Sequence, residues 1–370
     1  MPSNRHLLPT FALLIGPLCV VTLLPTAAGA QASPQQPAEA AQSRQVMTRP
    51  VEPDAGAMSK ENQPDGIVPS GGVGLYERMG ATLPPAPPEK PFTGQVDEAY
   101  GAYQRGFYVT ALDMALQRAS AGDAAAQTLV AEMMTKGLGI KRDAKTAAFW
   151  YQQAAERGDP AAMFQYALLL MSGRDVPRDK KKADEYMRKA AEGGNSSAQF
   201  NWAQILVSEN PGDRGLELAM PFYEKAAQQG VADAQYAVAQ VYRILRSLPQ
   251  EKKAQARMWL ERAAKAGFDT AQLDMGIWLV NGIAGPQDYD KGFEWMRTAA
   301  LRGNVVAQNK LSHLYIDALG TRPNPVEAAK WYVLSRRAGL QDPELEDFYL
   351  GIDDEQQKQA IEAADKFRQS

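Results

Sequence analysis

The chain has 370 residues, with 43 acidic side chains against 40 Lys and Arg and a formal net charge of −3. That balance offers no cationic surface for nucleic acid or an anionic membrane. A single cysteine excludes a disulfide framework within the chain.

Residues 1–30 read as a secretory signal. Arg5 is the one certain charge, an apolar stretch runs from Leu7 to Leu24, and Ala28-Gly29-Ala30 sets small residues at the positions that direct cleavage after Ala30. An uncleaved anchor is the alternative; Pro9, Gly16, Pro17 and Pro25 weigh against a spanning helix. Leu18 precedes Cys19, where a lipoprotein signal would carry a small residue, so Cys19 is expected to leave with the signal. The mature chain would then hold no thiol and a charge of about −4. These features predict a periplasmic or secreted protein.

Residues 31–91 are rich in Pro, Gln, Ser, Ala and Gly, a composition that buries too little apolar surface to offset its ordering entropy. This segment is expected to be disordered, with Leu83 to Pro91 as an extended polyproline spacer. One less polar island, from Ile67 to Met79, reads as linker, with a short partner motif as the alternative.

Helical patterning begins at Val96. Val96 to Arg105 and Tyr108 to Ala119, broken at Gly106, are expected to form an N-terminal capping pair within residues 92–121. Then a ladder of glycines appears: Gly122, Gly158, Gly194, Gly230, Gly267, Gly303 and Gly339, at steps of 36, 36, 36, 37, 36 and 36 residues. Aromatic residues keep the same phase and the same slip: Trp150, Tyr186, Phe222, Trp259, Trp295 and Trp331. A period of this length predicts an all-α solenoid of stacked helix pairs, with six repeats over residues 122–338 and a degenerate closing pair over 339–370.

Each unit has a physical reading. The glycine ends the second helix of the preceding pair in a left-handed conformation. Asp123, Asp159, Asn195 and Asn304 then cap the next helix, and Pro160 sits just inside it, whereas Val231 and Phe268 break this pattern. First helices carry an alanine ladder (Ala126, Ala162, Ala198, Ala234, Ala271, Ala307) and a small-residue ladder five positions on (Ala131, Ala167, Ala203, Ala239, Gly276, Ser312). Small side chains there allow close helix approach, with the aromatic ladder filling the groove they leave.

Gly122-Asp123-Ala124-x-Ala126-Gln127, then Lys136-Gly137-Leu138-Gly139-Ile140, Asp143 and Ala147 to Ala155, resemble the Sel-one-like repeat, a tetratricopeptide-like helix pair with units of 36 or more residues. The likeness spans about residues 96–350. The Gly-x-Gly loop is intact in the first repeat, becomes Ser172-Gly173-Arg174-Asp175 in the second, and is expected to lose its glycines in repeats three and four. The resemblance implies a right-handed α-solenoid acting as a protein-binding adaptor in assembly, envelope signalling or quality control. Cysteine-rich secreted members are linked to β-lactam binding or hydrolysis; their cysteines are missing here, so that activity is not carried over.

Chemistry-bearing clusters are sparse, and no catalytic, cofactor or metal site is expected. His313 is the one histidine after signal removal; it shares its repeat position with Glu132, Leu168, Gln204, Gln240 and Ile277, which reads as an exposed helix face. Asp353-Asp354-Glu355 reads as a helix start capped by Asp353, and Arg178 to Lys182 as a solvated start of a second helix. The candidate partner surface is the exposed face of the first helices. It is built from the ladder Leu129, Gln165, Asn201, Ala237, Asp274, Lys310 and the ladder ending in His313, three residues further on. Gln165, Asn201, Gln204, Gln240, Asp274, Lys310 and His313 are the residues expected to meet a protein or peptide partner. Peptidoglycan or polysaccharide binding is the second expectation, and a cell-wall or β-lactam hydrolase the third.

Overall fold

The structure, a computed structural model, describes residues 97–367, and these are helical with no strand among them. The expected secretory signal, the proline-rich segment and the island around Ile67 lie outside the described residues. An N-terminal pair, α1 (Glu98–Gln104) and α2 (Tyr108–Ser120), opens the array. Repeat one is α3 (Ala124–Lys136) and α4 (Ala144–Glu156); repeat two is α5 (Pro160–Ser172) and α6 (Lys180–Glu192). Repeat three is α7 (Ser196–Glu209) and α8 (Asp213–Gln228). Repeat four is α9 (Ala232–Ile244), a short α10 (Gln250–Lys253) and α11 (Ala256–Lys265). Repeat five is α12 (Asp269–Asn281) and α13 (Tyr289–Leu301); repeat six is α14 (Val305–Ile316) and α15 (Pro325–Arg337). The closing pair is α16 (Pro343–Gly351) and α17 (Asp354–Phe367).

Every glycine of the ladder is left-handed, with φ between 86° and 95°. A side chain there would clash with its own carbonyl, so glycine sets the stop that turns each pair into the next. Asp123, Asp159, Asn195 and Asn304 cap α3, α5, α7 and α14 through bonds to the amide three residues on. Val231 and Phe268 occupy the same position on α9 and α12 without a side-chain bond; both instead pack against the apolar core.

Each helix packs on its chain neighbours, and the apolar residues form four clusters strung along the described array rather than one centre. That is the quasi-linear core a repeat stack requires. All six alanines of the first ladder are buried, as are the alanines of the second and Ser312. Gly276 shows why the position stays small: a Cβ there would lie 3.1 Å from the Met296 backbone nitrogen and 3.2 Å from the Gly292 carbonyl oxygen of α13. Ser312 answers differently, donating its hydroxyl to the Ala328 carbonyl at 2.6 Å across the α14–α15 contact.

The aromatic ladder is less central than its period suggests. Trp259 and Trp331 are buried, but Trp150, Tyr186, Phe222 and Trp295 are half-buried. The groove between the helices is filled by the next residue along: Tyr151, Met187, Tyr223, Leu260, Met296 and Tyr332, all buried. One residue on a helix is a turn of about 100°, so the deepest stripe and the most conspicuous one adjoin.

The loops also depart from expectation. Repeat three keeps one left-handed glycine, Gly212, a residue out of register. In repeat four the loop is replaced by α10.

Candidate functional site

The ladder residues of successive first helices are linked by side-chain bonds between α9 and α12 and by a shared apolar cluster between α5 and α7. The two halves of the ladder differ. In the C-terminal half the polar groups are already engaged. Tyr236 of α9 and Gln240, one turn further along, both donate to Asp274 Oδ2 of α12, each at 2.9 Å. Arg243 donates to Gln240 Oε1 at 3.2 Å, and its guanidinium lies 5.7 Å from the Trp278 ring centre. Burial raises the Asp274 carboxyl above the ordinary carboxylate range, although Tyr236, Arg243 and Gln240 all favour its charged form.

His313 follows the same logic, and the expectation of an exposed face fails there. Its side chain is 14% exposed, with Nε2 2.9 Å from Asp342 Oδ2. Asn309 donates to that oxygen at 2.9 Å, while Asp342 Oδ1 caps α16. Burial pushes the Asp342 carboxyl up, but bonds from His313, Asn309 and the Leu345 amide outweigh it and hold the group below the ordinary range. Lys310 is half-buried over a shallow depression lined by Ile277, Asn281 and Leu314. Burial lowers its ammonium pKa, with Asp342 opposing. Gln240, Asp274 and His313 therefore serve as ties between repeats.

Repeats two and three are different. Gln165 is exposed and Gln204 half-buried, and neither makes a hydrogen bond among the described residues. Asn201 donates Nδ2 back to the Ser197 carbonyl at 2.8 Å, which leaves its side-chain oxygen available. Leu168 and Phe164 are half-buried on the same stretch of α5. Leu129, at the start of the ladder, is buried and leaves the surface. Trp202 packs against the apolar core and Trp278 is buried within it.

One recurring polar set was not anticipated. Gln127, Gln199, Gln235, Gln272 and Gln308 are buried, and each donates Nε2 to the carbonyl eight residues earlier, at 3.0 to 3.2 Å. They satisfy the loose carbonyls at the end of the preceding second helix. Their recurrence in phase with the glycines, interrupted only at Met163, was the available signal. Asp353 does cap α17, donated to by the Gln356 amide at 2.8 Å. Lys180 pairs with Asp184 and Glu209 at an exposed helix start, and Lys182 lies 5.6 Å from the Tyr166 ring centre. No cluster of three metal-ligating side chains occurs among the described residues, and none of their helices is long and apolar enough to cross a membrane.

A family model for the Sel1 repeat matches residues 124–159, 160–195, 196–231, 232–268, 270–304 and 305–340. The chain belongs to the Sel1 repeat family. Sel1 repeat proteins are in general non-catalytic scaffolds that mediate protein interactions. Among solved structures, the chain is similar to c5321, a protective antigen present in uropathogenic Escherichia coli strains displaying an SLR fold. The two share 25% identity with a TM-score of 0.60, over 73% of this chain and 61% of that one. It is also similar to a Sel1 repeat protein from Oxalobacter formigenes, at 25% identity and TM-score 0.53, over 67% of this chain and 100% of that one. Chitin synthase regulatory factor 3 of Schizosaccharomyces pombe is 26% identical over 84 residues, which is 22% of this chain and 9% of that protein. The chain thus spans less than two thirds of the antigen and under a tenth of the yeast factor.

Proposed function

We propose that this Sel1 repeat scaffold is exported to the periplasm and acts as an adaptor in the cell envelope, binding an extended peptide segment of a protein partner. The groove for it is the first-helix face of repeats two and three. The observation that carries this reading is the contrast along that face. Gln165, Asn201 and Gln204 present side-chain amide atoms that the fold does not use, beside half-buried Leu168 and Phe164. An extended backbone needs donors and acceptors at intervals along a partly apolar floor, and amide side chains supply both. Export rests on the signal read in residues 1–30.

The test is crosslinking in intact cells with the full-length protein, followed by capture and identification of its partners. Three forms are compared: the parent, Q165A/N201A/Q204A, and a control altered at exposed second-helix positions, E156A/E185A. A partner lost at least tenfold with the triple variant, which corresponds to about 1.4 kcal/mol, and retained by the control supports the reading. Equal recovery in all three overturns the assigned face. Sedimentation of the protein with isolated cell wall, with no protein captured, would replace a protein partner by a glycan.

A further inference from the structure

The two ends of the described array are finished differently. The last helix, α17, carries exposed Glu355, Lys358, Gln359, Glu362 and Asp365, and Ile361 is its one large apolar residue that is more than a third exposed. The first pair instead leaves Phe107 60% exposed, the most exposed aromatic residue among those described. Phe107 borders a groove of about 500 Å³ between α1 and α2, floored by Gly101, Ala102, Thr110 and Met114. Glu98 and Arg105 form its charged rim. Arg105 donates Nε to the Gly101 carbonyl at 3.2 Å and lies 5.7 Å from the Phe107 ring centre, but neither it nor Glu98 makes an ion pair among the described residues. The space over Gly101 is open, since a Cβ built there would meet nothing within 4 Å.

We infer that this groove is a self-association site, where a second copy of the chain packs its α1 antiparallel to this one across a two-fold axis. The charge pattern selects this occupant. Glu98 and Arg105 are two helical turns apart, so they share one stripe at a separation of about 10 Å. Gly101 and Ala102 stand midway between them, on the same groove. A two-fold axis through that midpoint sets each copy's Glu98 opposite the other copy's Arg105, so one surface supplies the counter-charges for both. An isologous contact demands this kind of self-complementarity. A purely acidic or purely basic partner would satisfy only one of the two rim charges. The crossing point falls on the smallest residues of the stripe, which lets the two helix backbones approach closely. Phe107 supplies the apolar area, and an exposed ring beside a charged rim is the form a protein contact takes. One short helix pair from each copy gives a small interface, near the lower limit of about 1,000 Å² for a stable one, so dissociation in the micromolar range follows.

The test is sedimentation equilibrium of the full-length protein between about 1 and about 200 µM, which reads the dissociation constant of the dimer. Glu98→Arg makes both rim charges basic, and Arg105→Glu makes both acidic. Alone, each variant should dissociate about tenfold more readily than the parent, because like charges then face each other across the axis. Mixed in equal amounts, the two should recover the parental association, since a basic stripe then meets an acidic one; that recovery also shows that both variants fold. Gly101→Leu fills the groove and should weaken association by about tenfold as well. It adds a side chain into open space within a helix, and an unchanged or raised melting temperature shows that it folds. A parent that stays monomeric over the whole range overturns the inference. A dimer that none of the three variants weakens also overturns it, in favour of another surface. A mixture that associates no better than its components overturns the antiparallel pairing.

Discussion

Repeats one to three and repeats four to six share one fold and hold it by different means. In the first half every first helix begins at a side-chain cap, and Asp159 also accepts a bond from Thr128 of the preceding repeat at 2.9 Å. In repeats four and five that cap is gone. Phe268 packs against Tyr236 in a tilted ring pair with centres 5.2 Å apart, and the same tyrosine reaches Asp274. In repeats two and three the ladder side chains Gln165 and Gln204 make no hydrogen bond among the described residues, and Asn201 donates only within its own helix. In repeats four and five the ladder is drawn into the Asp274 tie, and capped repeats one and six carry ties as well, from Tyr103 to Glu132 and from His313 to Asp342. The proposed partner surface is therefore the stretch, repeats two and three, whose ladder side chains tie no repeats together.

Apolar packing should separate the halves by the widest margin. Trp259, in repeat four, is 6% exposed, while its counterpart Trp150, in repeat one, is half-buried. Trp259→Ala should cost about 3–5 kcal/mol, and Trp150→Ala about 1–2 kcal/mol, measured by denaturant unfolding. Equal costs would mean that exposure along this ladder carries no energetic information.

The ties come next. Asp274→Ala leaves the Tyr236 hydroxyl and the Gln240 amide without their acceptor and should cost about 1–3 kcal/mol. Asp274→Asn keeps an acceptor oxygen and cannot ionise. The parent carboxyl has a raised folded value, so its ionisation opposes folding at neutral pH. That cost fades as pH falls through the raised value and the group takes up its proton. Asp274→Asn should thus be at least as stable as the parent at about pH 7, and its advantage should shrink between neutrality and about pH 4. Asp342 has the opposite sign: its folded value is lowered, so its contribution is present above about pH 4 and is lost below it. A pH-independent difference between the parent and Asp274→Asn would show that the raised carboxyl does not act on stability.

Which parts of this were legible in the sequence follows from what each part requires of a residue. A left-handed stop accepts almost nothing but glycine, so Gly122 to Gly339 announce the repeat without help from the fold. Caps are nearly as exclusive, and Asp123, Asp159, Asn195 and Asn304 read directly. The deepest core stripe hides because Tyr, Met and Leu fill it interchangeably, while the aromatics beside it draw the eye. The glutamine ladder recurs almost as regularly as glycine, yet its role appears only when the carbonyl eight residues back is placed beside it. The ties were illegible for a geometric reason. Tyr236 and Gln240 meet Asp274 across 38 and 34 residues, so no two partners share a ladder position. His313 read as solvent-facing for the same cause, since its partner Asp342 lies outside its ladder.

The smallest effect is also the sharpest on the capped half. Asp159 Oδ1 accepts from the Ala162 amide at 2.7 Å and from the Thr128 hydroxyl at 2.9 Å, so it starts α5 and also joins it to α3. Asp159→Ala should cost about 1 kcal/mol. Asp159→Asn, which retains an acceptor, should recover most of that. Hydrogen exchange would place the loss: protection should fall at the start of α5 and leave α12, which has no side-chain cap, unchanged. A loss spread evenly through both halves would mean that the array opens as one unit, and that the division between capped and uncapped repeats has no counterpart in how it unfolds.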